Sequence, residues 1–160
     1  MTQRMLAVVD IDGVVADVRH RLHHVAGRPK DWPAFFAAAA DDGVLAEGAE
    51  TARRLAEVYD LVYLSGRPER LRRVTEQWLD EHGLPQGRLL LRPADDYRPS
   101  RLYKVEALRS LAADRTVVVL VDDDPRVLDA AREAGFDVLP ATWMGEHPEL
   151  REAQEREGRT

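Results

Sequence analysis

Apolar residues gather into five short runs along the chain, separated by longer stretches in which polar residues dominate. Two of the runs, LAVV and VVVLV, are almost uninterrupted Val, Leu and Ala. That composition is typical of strands covered on both faces in a parallel sheet. The runs predict strands at residues 5–9, 61–64, 88–91, 116–121 and 136–139.

The stretches between the runs have helical periodicity, with apolar residues three or four positions apart. Gly83 and Gly135 follow two of these stretches, and Pro125 opens the last one, which are common signals of helix ends. We predict helices at residues 49–59, 69–82, 103–113 and 126–134. Strands alternating with helices indicate an α/β fold, with a mostly parallel sheet of five strands flanked by helices in a single domain over residues 1–160.

Two segments fall outside this alternation. Residues 14–47 are too many for a strand-to-helix loop, and their Trp32, Phe35 and Phe36 suit a short helix packed on the core. We expect about residues 14–47 to form a small helical cap insertion over the functional site. The polar end of the chain, ELREAQEREGRT, predicts a tail that frays.

Composition narrows the classes of function. The chain has no cysteine, which excludes a disulfide framework, a thiolate metal site and a cysteine nucleophile. It has neither a long apolar run nor a signal-peptide pattern, so we expect a cytoplasmic protein with no membrane partner. The net charge of −6 argues mildly against a protein that coats nucleic acid nonspecifically, although it leaves room for a local basic site.

An acid pair follows the first predicted strand, in Asp10-Ile11-Asp12-Gly13. Ligands of parallel α/β sheets bind beyond the carboxyl ends of the strands, so a functional site is expected at this position. Acids two residues apart on extended chain point to the same side. One carboxyl can attack while the other moves a proton, or a hard cation can neutralise both. A merely solvated turn is the plain alternative.

A candidate anion site follows the second strand, in Ser65-Gly66-Arg67-Pro68. A hydroxyl and free N–H groups at a helix start bind anions, and the guanidinium of Arg67 suits phosphate. Lys104 lies near the start of a later helix, where the helix dipole disfavours a cation unless it faces an anion. An ordinary helix cap and a surface lysine are the respective alternatives.

A second acid cluster, Asp122-Asp123-Asp124, follows the fourth strand. Asp124 can cap the next helix, but capping gives no reason for two further acids at Asp122 and Asp123. A Mg²⁺ ion shared with Asp10 would supply one, and a charged loop is the alternative.

The order of these elements resembles the haloacid dehalogenase superfamily of phosphohydrolases. Its four motifs match Asp10-Ile11-Asp12-Gly13-Val14 with Asp17, then Ser65, then Lys104, then Asp122-Asp123. The runs LVYLSGRPERLRRVTEQWLDEHGL and VLVDDDPRVLDAAREAGFDV are also similar to the 3′-phosphatase domain of phage-type polynucleotide kinase-phosphatases. The resemblance covers roughly residues 5–143 and implies a Rossmann-like sheet.

The resemblance implies a Mg²⁺-dependent phosphomonoester hydrolase that works through an aspartyl-phosphate. Asp10 would be the nucleophile, and Asp12 would protonate the leaving oxygen and then activate water. The implied metal ligands are Asp10, the backbone carbonyl of Asp12, Asp122 and Asp123. The implied phosphate-binding residues are Ser65, Gly66, Arg67 and Lys104.

We expect the substrate to be a polynucleotide or nucleotide 3′-phosphate. A small cap leaves a site open to large substrates, and basic residues lie near its expected mouth. These basic residues are Arg19, Arg21, Arg28, Lys30, Arg67, Arg70, Arg92, Arg98 and Arg101. A phosphatase of small metabolites or nucleoside monophosphates is the alternative.

Other readings fit less well. A phosphate-binding module without turnover, such as a receiver domain, would have its acceptor acid after the third strand, whereas the acids here follow the first and fourth strands. A dehalogenase does not need Mg²⁺, so the pair Asp122-Asp123 argues against that activity. The chain has no GxxxxGK[ST] phosphate loop, so a kinase or ligase that works with it would be a separate partner or a part that was cut away.

Overall fold

A computed structural model describes residues 3–160. Its strands are β1 (Leu6–Val9), β2 (Ala16–Asp17), β3 (Gly43–Val44), β4 (Asp60–Pro68), β5 (Gly87–Arg92), β6 (Val117–Asp122) and β7 (Val138–Pro140). Five of them form a parallel sheet in the order β5-β4-β1-β6-β7. All five predicted strands are present, and the predicted α/β fold with its five-stranded parallel sheet is confirmed.

The helices are α1 (His23–Ala26), α2 (Trp32–Ala37), α3 (Ala46–Val58), α4 (Arg72–Glu81), α5 (Ser100–Asp114), α6 (Pro125–Glu133) and α7 (Pro148–Glu155). The four predicted helices correspond to α3, α4, α5 and α6, with ends shifted by a few residues. Gly83 and Gly135 lie just past α4 and α6 with φ of 67° and 93°, the left-handed conformation in which glycine ends helices.

The sheet is buried on both faces because successive side chains of a strand point to opposite sides. In β1, Ala7 and Val9 belong to one apolar cluster, whereas Leu6 and Val8 belong to the other. The first cluster includes residues of α3 and α4, and the second includes residues of α5 and α6. Two-sided burial therefore accounts for the uninterrupted apolar runs.

Strand β4 is longer than predicted and irregular at its end. Leu64 pairs with Leu90 and Pro68 pairs with Arg92, so three residues of β4 face one residue of β5. Ser65, Gly66 and Arg67 thus lie in a bulge of the strand, and the next helical turn begins only at Glu69. The predicted helix start at residue 69 agrees with this turn, whereas the predicted strand end at Leu64 is too early, because the pairing with β5 continues to Pro68.

The segment 14–47 contains the short helices α1 and α2, two 3₁₀ turns, and the antiparallel pair of β2 with β3. This pair joins the two ends of the segment. Phe35 and Phe36 are buried in the first apolar cluster, as the sequence predicted for these aromatic residues. The role of the segment as a cap stays a prediction.

The polar end of the chain is folded, which corrects the prediction of a fraying tail. Leu150 and Ala153 of α7 are fully buried, and Thr160 is only 3% exposed. The two apolar side chains lie three positions apart and form a helix face too short to stand out in the sequence. Within residues 3–160, no helix has the length and apolar character needed to cross a membrane.

Candidate active site

The first acid pair lies where β1 ends, at the carboxyl edge of the sheet. The chain turns sharply at Gly13, which has φ of 81°. A Cβ atom at Gly13 would overlap the carboxyl group of Asp123, so the turn also needs glycine for space. Strand β6 ends beside β1 and brings Asp122 and Asp123 to the same edge.

Three acids and a lysine meet at this edge. Asp10, Asp122 and Asp123 each have a carboxylate oxygen within 4.8 Å of the others. Lys104 Nζ lies 3.1 Å from Asp10 Oδ1 and 2.7 Å from Asp122 Oδ2. The expected anion opposite Lys104 is thus this acid cluster, and all four side chains are buried.

Burial and the neighbouring charge of Asp122 raise the pKa of Asp10 well above its ordinary value. The same two causes, in the same order, raise the pKa of Asp123. Burial would lower the pKa of Lys104, but the charges of Asp10 and Asp122 outweigh it and keep the ammonium protonated. The cluster therefore carries excess negative charge that one lysine only partly neutralises.

The acid cluster fits a hard divalent cation. All the donors are carboxylate oxygens, the ligands that Mg²⁺ prefers. Asp10 Oδ2 and Asp123 Oδ1 are buried without a hydrogen-bond partner. Within residues 3–160, this is the one group of metal-ligating side chains close enough to hold an ion, and it includes no histidine.

A second buried group surrounds Asp12, the other member of the acid pair. Arg67 Nη2 lies 2.6 Å from Asp12 Oδ1, and Arg21 Nη2 lies 3.2 Å from the same oxygen. Both arginines also contact Asp42, with Arg21 Nε at 2.8 Å and Arg67 Nη2 at 3.0 Å. We call Asp12, Arg21, Asp42 and Arg67 the buried quartet; its two positive and two negative charges balance.

The quartet sets the protonation of Asp12. Burial alone would raise the pKa of Asp12, but the charges of Arg67 and Arg21 outweigh it and hold that pKa well below its usual value. Asp12 is therefore ionised in this arrangement.

The phosphate-binding residues that the sequence predicts lie around these two groups. Ser65 Oγ is buried and accepts a hydrogen bond of 3.0 Å from the Arg67 amide. The Gly66 carbonyl accepts one of 3.0 Å from Arg92 Nε. The guanidinium of Arg67 donates hydrogen bonds to Asp12, Asp42 and Thr75.

Several residues near the site were missed or misplaced by sequence reasoning. Arg21, Arg67 and Arg92 belong to the basic residues predicted at the mouth of the site, but all three side chains are buried. Asp42 and Arg151 were not singled out; Arg151 Nη1 lies 2.6 Å from Asp123 Oδ2. Local spacing could not reveal the pair of Arg21 with Asp42 or that of Arg151 with Asp123, because these pairs join positions 21 and 28 residues apart in the chain.

The site is closed in this structure. Asp10 and Asp12 are each 2% exposed, and Ser65 is fully buried. A cavity of about 720 Å³ lies elsewhere, lined by residues such as Tyr59, Leu90 and Leu111 and by none of the predicted site residues.

Known proteins resemble this chain in sequence family and in fold. A family described as the polynucleotide kinase PNKP phosphatase domain matches residues 4–142, a range that includes every predicted site residue. No curated protein matches the chain in sequence.

Solved structures share the fold. A chain of the Pnkp1/Rnl/Hen1 RNA repair complex superimposes with a TM-score of 0.69 and 24% identity, over 88% of this chain and 44% of that one. This chain thus spans less than half the length of that relative. A haloacid dehalogenase-like hydrolase from Streptococcus pneumoniae superimposes with a TM-score of 0.61 and 14% identity, over 97% of this chain and 93% of that one.

Proposed function

Because the chain belongs to the family of PNKP phosphatase domains, we propose that it is a Mg²⁺-dependent hydrolase of 3′-phosphates on polynucleotides or nucleotides. The observation that carries this proposal is the buried cluster of Asp10, Asp122, Asp123 and Lys104 at the carboxyl edge of the sheet. Three carboxylates, two of which have an unpartnered oxygen, lie beside one lysine and suit a divalent cation and a phosphoryl group together.

In the first step, a carboxylate oxygen of Asp10 attacks phosphorus, and the bond from phosphorus to the 3′ oxygen breaks. A Mg²⁺ ion held by Asp10, Asp122, Asp123 and the Asp12 carbonyl would supply positive charge that offsets the phosphoryl oxygens. Lys104, 3.1 Å from Asp10, provides a fixed positive charge beside the nucleophile. Ser65 and the Gly66 amide orient the phosphoryl oxygens.

Asp12 moves the proton in both steps. It gives a proton to the departing 3′ oxygen, and it takes one from the water that then releases phosphate from Asp10. Ionised Asp12 suits the second role. For the first, phosphoryl oxygens compete for the guanidinium groups of Arg67 and Arg21; as these move to the substrate, the pKa of Asp12 rises and it can hold a proton.

The family name and the fold neighbour guide the choice of substrate. The neighbour belongs to a complex described as an RNA repair complex, which suggests a broken RNA end as one 3′-phosphate to test. A kinase or ligase that acts on the same end would be a separate partner of this chain or a further part of the same protein.

The test is phosphate release from a 3′-phosphorylated oligonucleotide and from the matching nucleoside 3′-monophosphate, with and without Mg²⁺. We expect release only with Mg²⁺ and faster release from the oligonucleotide. Asp10→Asn should lower turnover by more than about 10⁴-fold, since it removes the nucleophile. Asp95→Asn, at an exposed acid, is the matched control and should keep full turnover.

Faster release from the mononucleotide would redirect the proposal to a nucleotide or metabolite phosphatase. Substantial turnover by Asp10→Asn would show that Asp10 is not the nucleophile.

A further inference from the structure

Residues 148–160, which we call the strap, lie beyond the family match that ends at residue 142. The strap begins with helix α7 and then runs back over the carboxyl edge of the sheet to Thr160. It therefore brings a segment from outside the matched region into the closed site.

The strap touches both groups of catalytic side chains. Thr160 Oγ1 donates a hydrogen bond to Asp12 Oδ2, and the Thr160 backbone lies so close to Gly66 that a Cβ atom there would overlap it. At its other end, Arg151 pairs with Asp123 of the acid cluster. The strap thus contacts the proposed proton-transfer acid Asp12, the proposed phosphate-binding residue Gly66 and the proposed metal ligand Asp123.

The strap also forms ion pairs with two basic residues near the site. Lys30 Nζ lies 2.9 Å from Glu152 and 3.2 Å from Glu157, and Arg101 Nε lies 2.5 Å from Glu155. Lys30 and Arg101 belong to the basic residues that sequence analysis placed at the mouth of the site. Both cations are therefore paired with glutamates of the strap in the closed site.

We propose that the strap is an autoinhibitory pseudosubstrate, which occupies the phosphoryl site and must withdraw before a phosphorylated end can reach Asp10. This inference rests on the proposed function of the site. Leu150 and Ala153 anchor α7 in the core, so the moving part is residues 156–160. Arg159 holds that part by lying over the rings of Trp32 and Tyr97, at 5.1 and 4.8 Å from their centroids.

Gly158 offers a way to open the strap without shortening the chain. It has φ of 60°, and a Cβ atom there would overlap the backbone carbonyls of Tyr97 and Arg98. Gly158→Ala should therefore displace residues 158–160 from the site. Gly135→Ala is the matched control, since Gly135 also has a positive φ but has open space around it.

The first measurement is steady-state kinetics on the 3′-phosphorylated oligonucleotide. Gly158→Ala, and a chain shortened to Glu157, should both lower KM at least about fivefold relative to the full chain, because substrate no longer competes with the strap. Gly135→Ala should leave KM unchanged.

The second measurement does not require turnover, so it separates failure of the strap proposal from failure of the proposed function. Inorganic phosphate is titrated calorimetrically into the full chain and Gly158→Ala in the presence of Mg²⁺, and amide exchange of the full chain is followed. The Arg159 amide donates to the Ala153 carbonyl at 2.8 Å in the closed strap, so saturating phosphate should speed its exchange.

Tighter phosphate binding by Gly158→Ala, together with faster exchange at Arg159, would support the strap proposal even if no 3′-phosphate is released. Equal affinity of both proteins for phosphate, no binding by either, or unchanged exchange at Arg159 would overturn it.

Discussion

At the scale of single residues, Asp42 is a buried acid that belongs to no recognised motif and yet pairs with two arginines. It is the second anion of the buried quartet and accepts hydrogen bonds from both Arg21 and Arg67. His20 Nε2 lies 2.6 Å from it as well. With Asp42 in place, the two arginines share their charge between two carboxylates, and Asp12 is not the sole counterion of a buried pair of cations.

Asp42→Asn should therefore destabilise the protein by about 3 kcal/mol, because it leaves one buried positive charge without its partner. It should also slow turnover, since both arginines then bind Asp12 more tightly and keep it ionised. Urea unfolding gives the stability, and phosphate release gives the turnover. Asp41→Asn, at the exposed neighbouring acid, is the control and should change neither. A stable, fully active Asp42→Asn would show that the quartet does not need this anion.

Some residues of the candidate site could be predicted from the sequence and others could not, for a physical reason. Asp10, Asp12, Asp122 and Asp123 were found because strand ends are local patterns that a parallel sheet brings to one edge. Lys104 was found because a cation near a helix start implies an anion opposite it. Asp42 lies 21 residues from its partner Arg21 and has no pattern of its own, so only the folded chain reveals it.

At the level of elements, helix α4 supports the quartet through two hydrogen bonds: Thr75 Oγ1 accepts one from Arg67, and Trp78 donates the other. Trp78 is 2% exposed, and its Nε1 donates a bond of 2.8 Å to the backbone carbonyl of Asp42. The indole thus fixes the turn that ends in Asp42 against α4. Helical periodicity could not predict this partner, because the bond spans 36 residues.

Trp78→Phe should lower stability by about 2 kcal/mol, since a buried carbonyl loses its donor and the smaller ring leaves a gap. Trp143→Phe is a matched comparison: Trp143 Nε1 donates to the Val14 carbonyl at 2.8 Å, but the side chain is only half-buried. Water can replace that bond, so Trp143→Phe should cost less. Urea unfolding of both variants tests this order, and equal losses would contradict it.

For the whole molecule, the alternation of strands and helices was enough to predict the sheet, whereas the closure of the site was not predictable. The five apolar runs encode strands because a two-sided core needs apolar residues throughout β1 and along β6 until that strand ends in Asp122. The strap contains mostly charged residues whose partners lie far away, as in the pair of Lys30 with Glu157. Such pairs depend on the folded sheet, which brings residues distant in the chain close together.

The acid cluster makes the stability of the whole molecule depend on pH and Mg²⁺. The folded pKa of Asp10 is raised, so protonation favours the folded state. That contribution is fully present below the ordinary pKa of 3.8 and is lost as pH rises through the raised value. Near neutral pH the ionised carboxylates repel one another, and a divalent cation should relieve that repulsion.

Mg²⁺ at 100 times its dissociation constant should therefore stabilise the folded chain by about 2.7 kcal/mol near pH 8. The gain should shrink towards pH 5, where protons compete with the ion for Asp10. Thermal unfolding with Mg²⁺, or with NaCl at equal ionic strength, measures the gain at both values. Asp122→Asn removes one proposed ligand and should abolish it. A gain that is equal at both pH values, or that persists in Asp122→Asn, would place the ion outside this cluster.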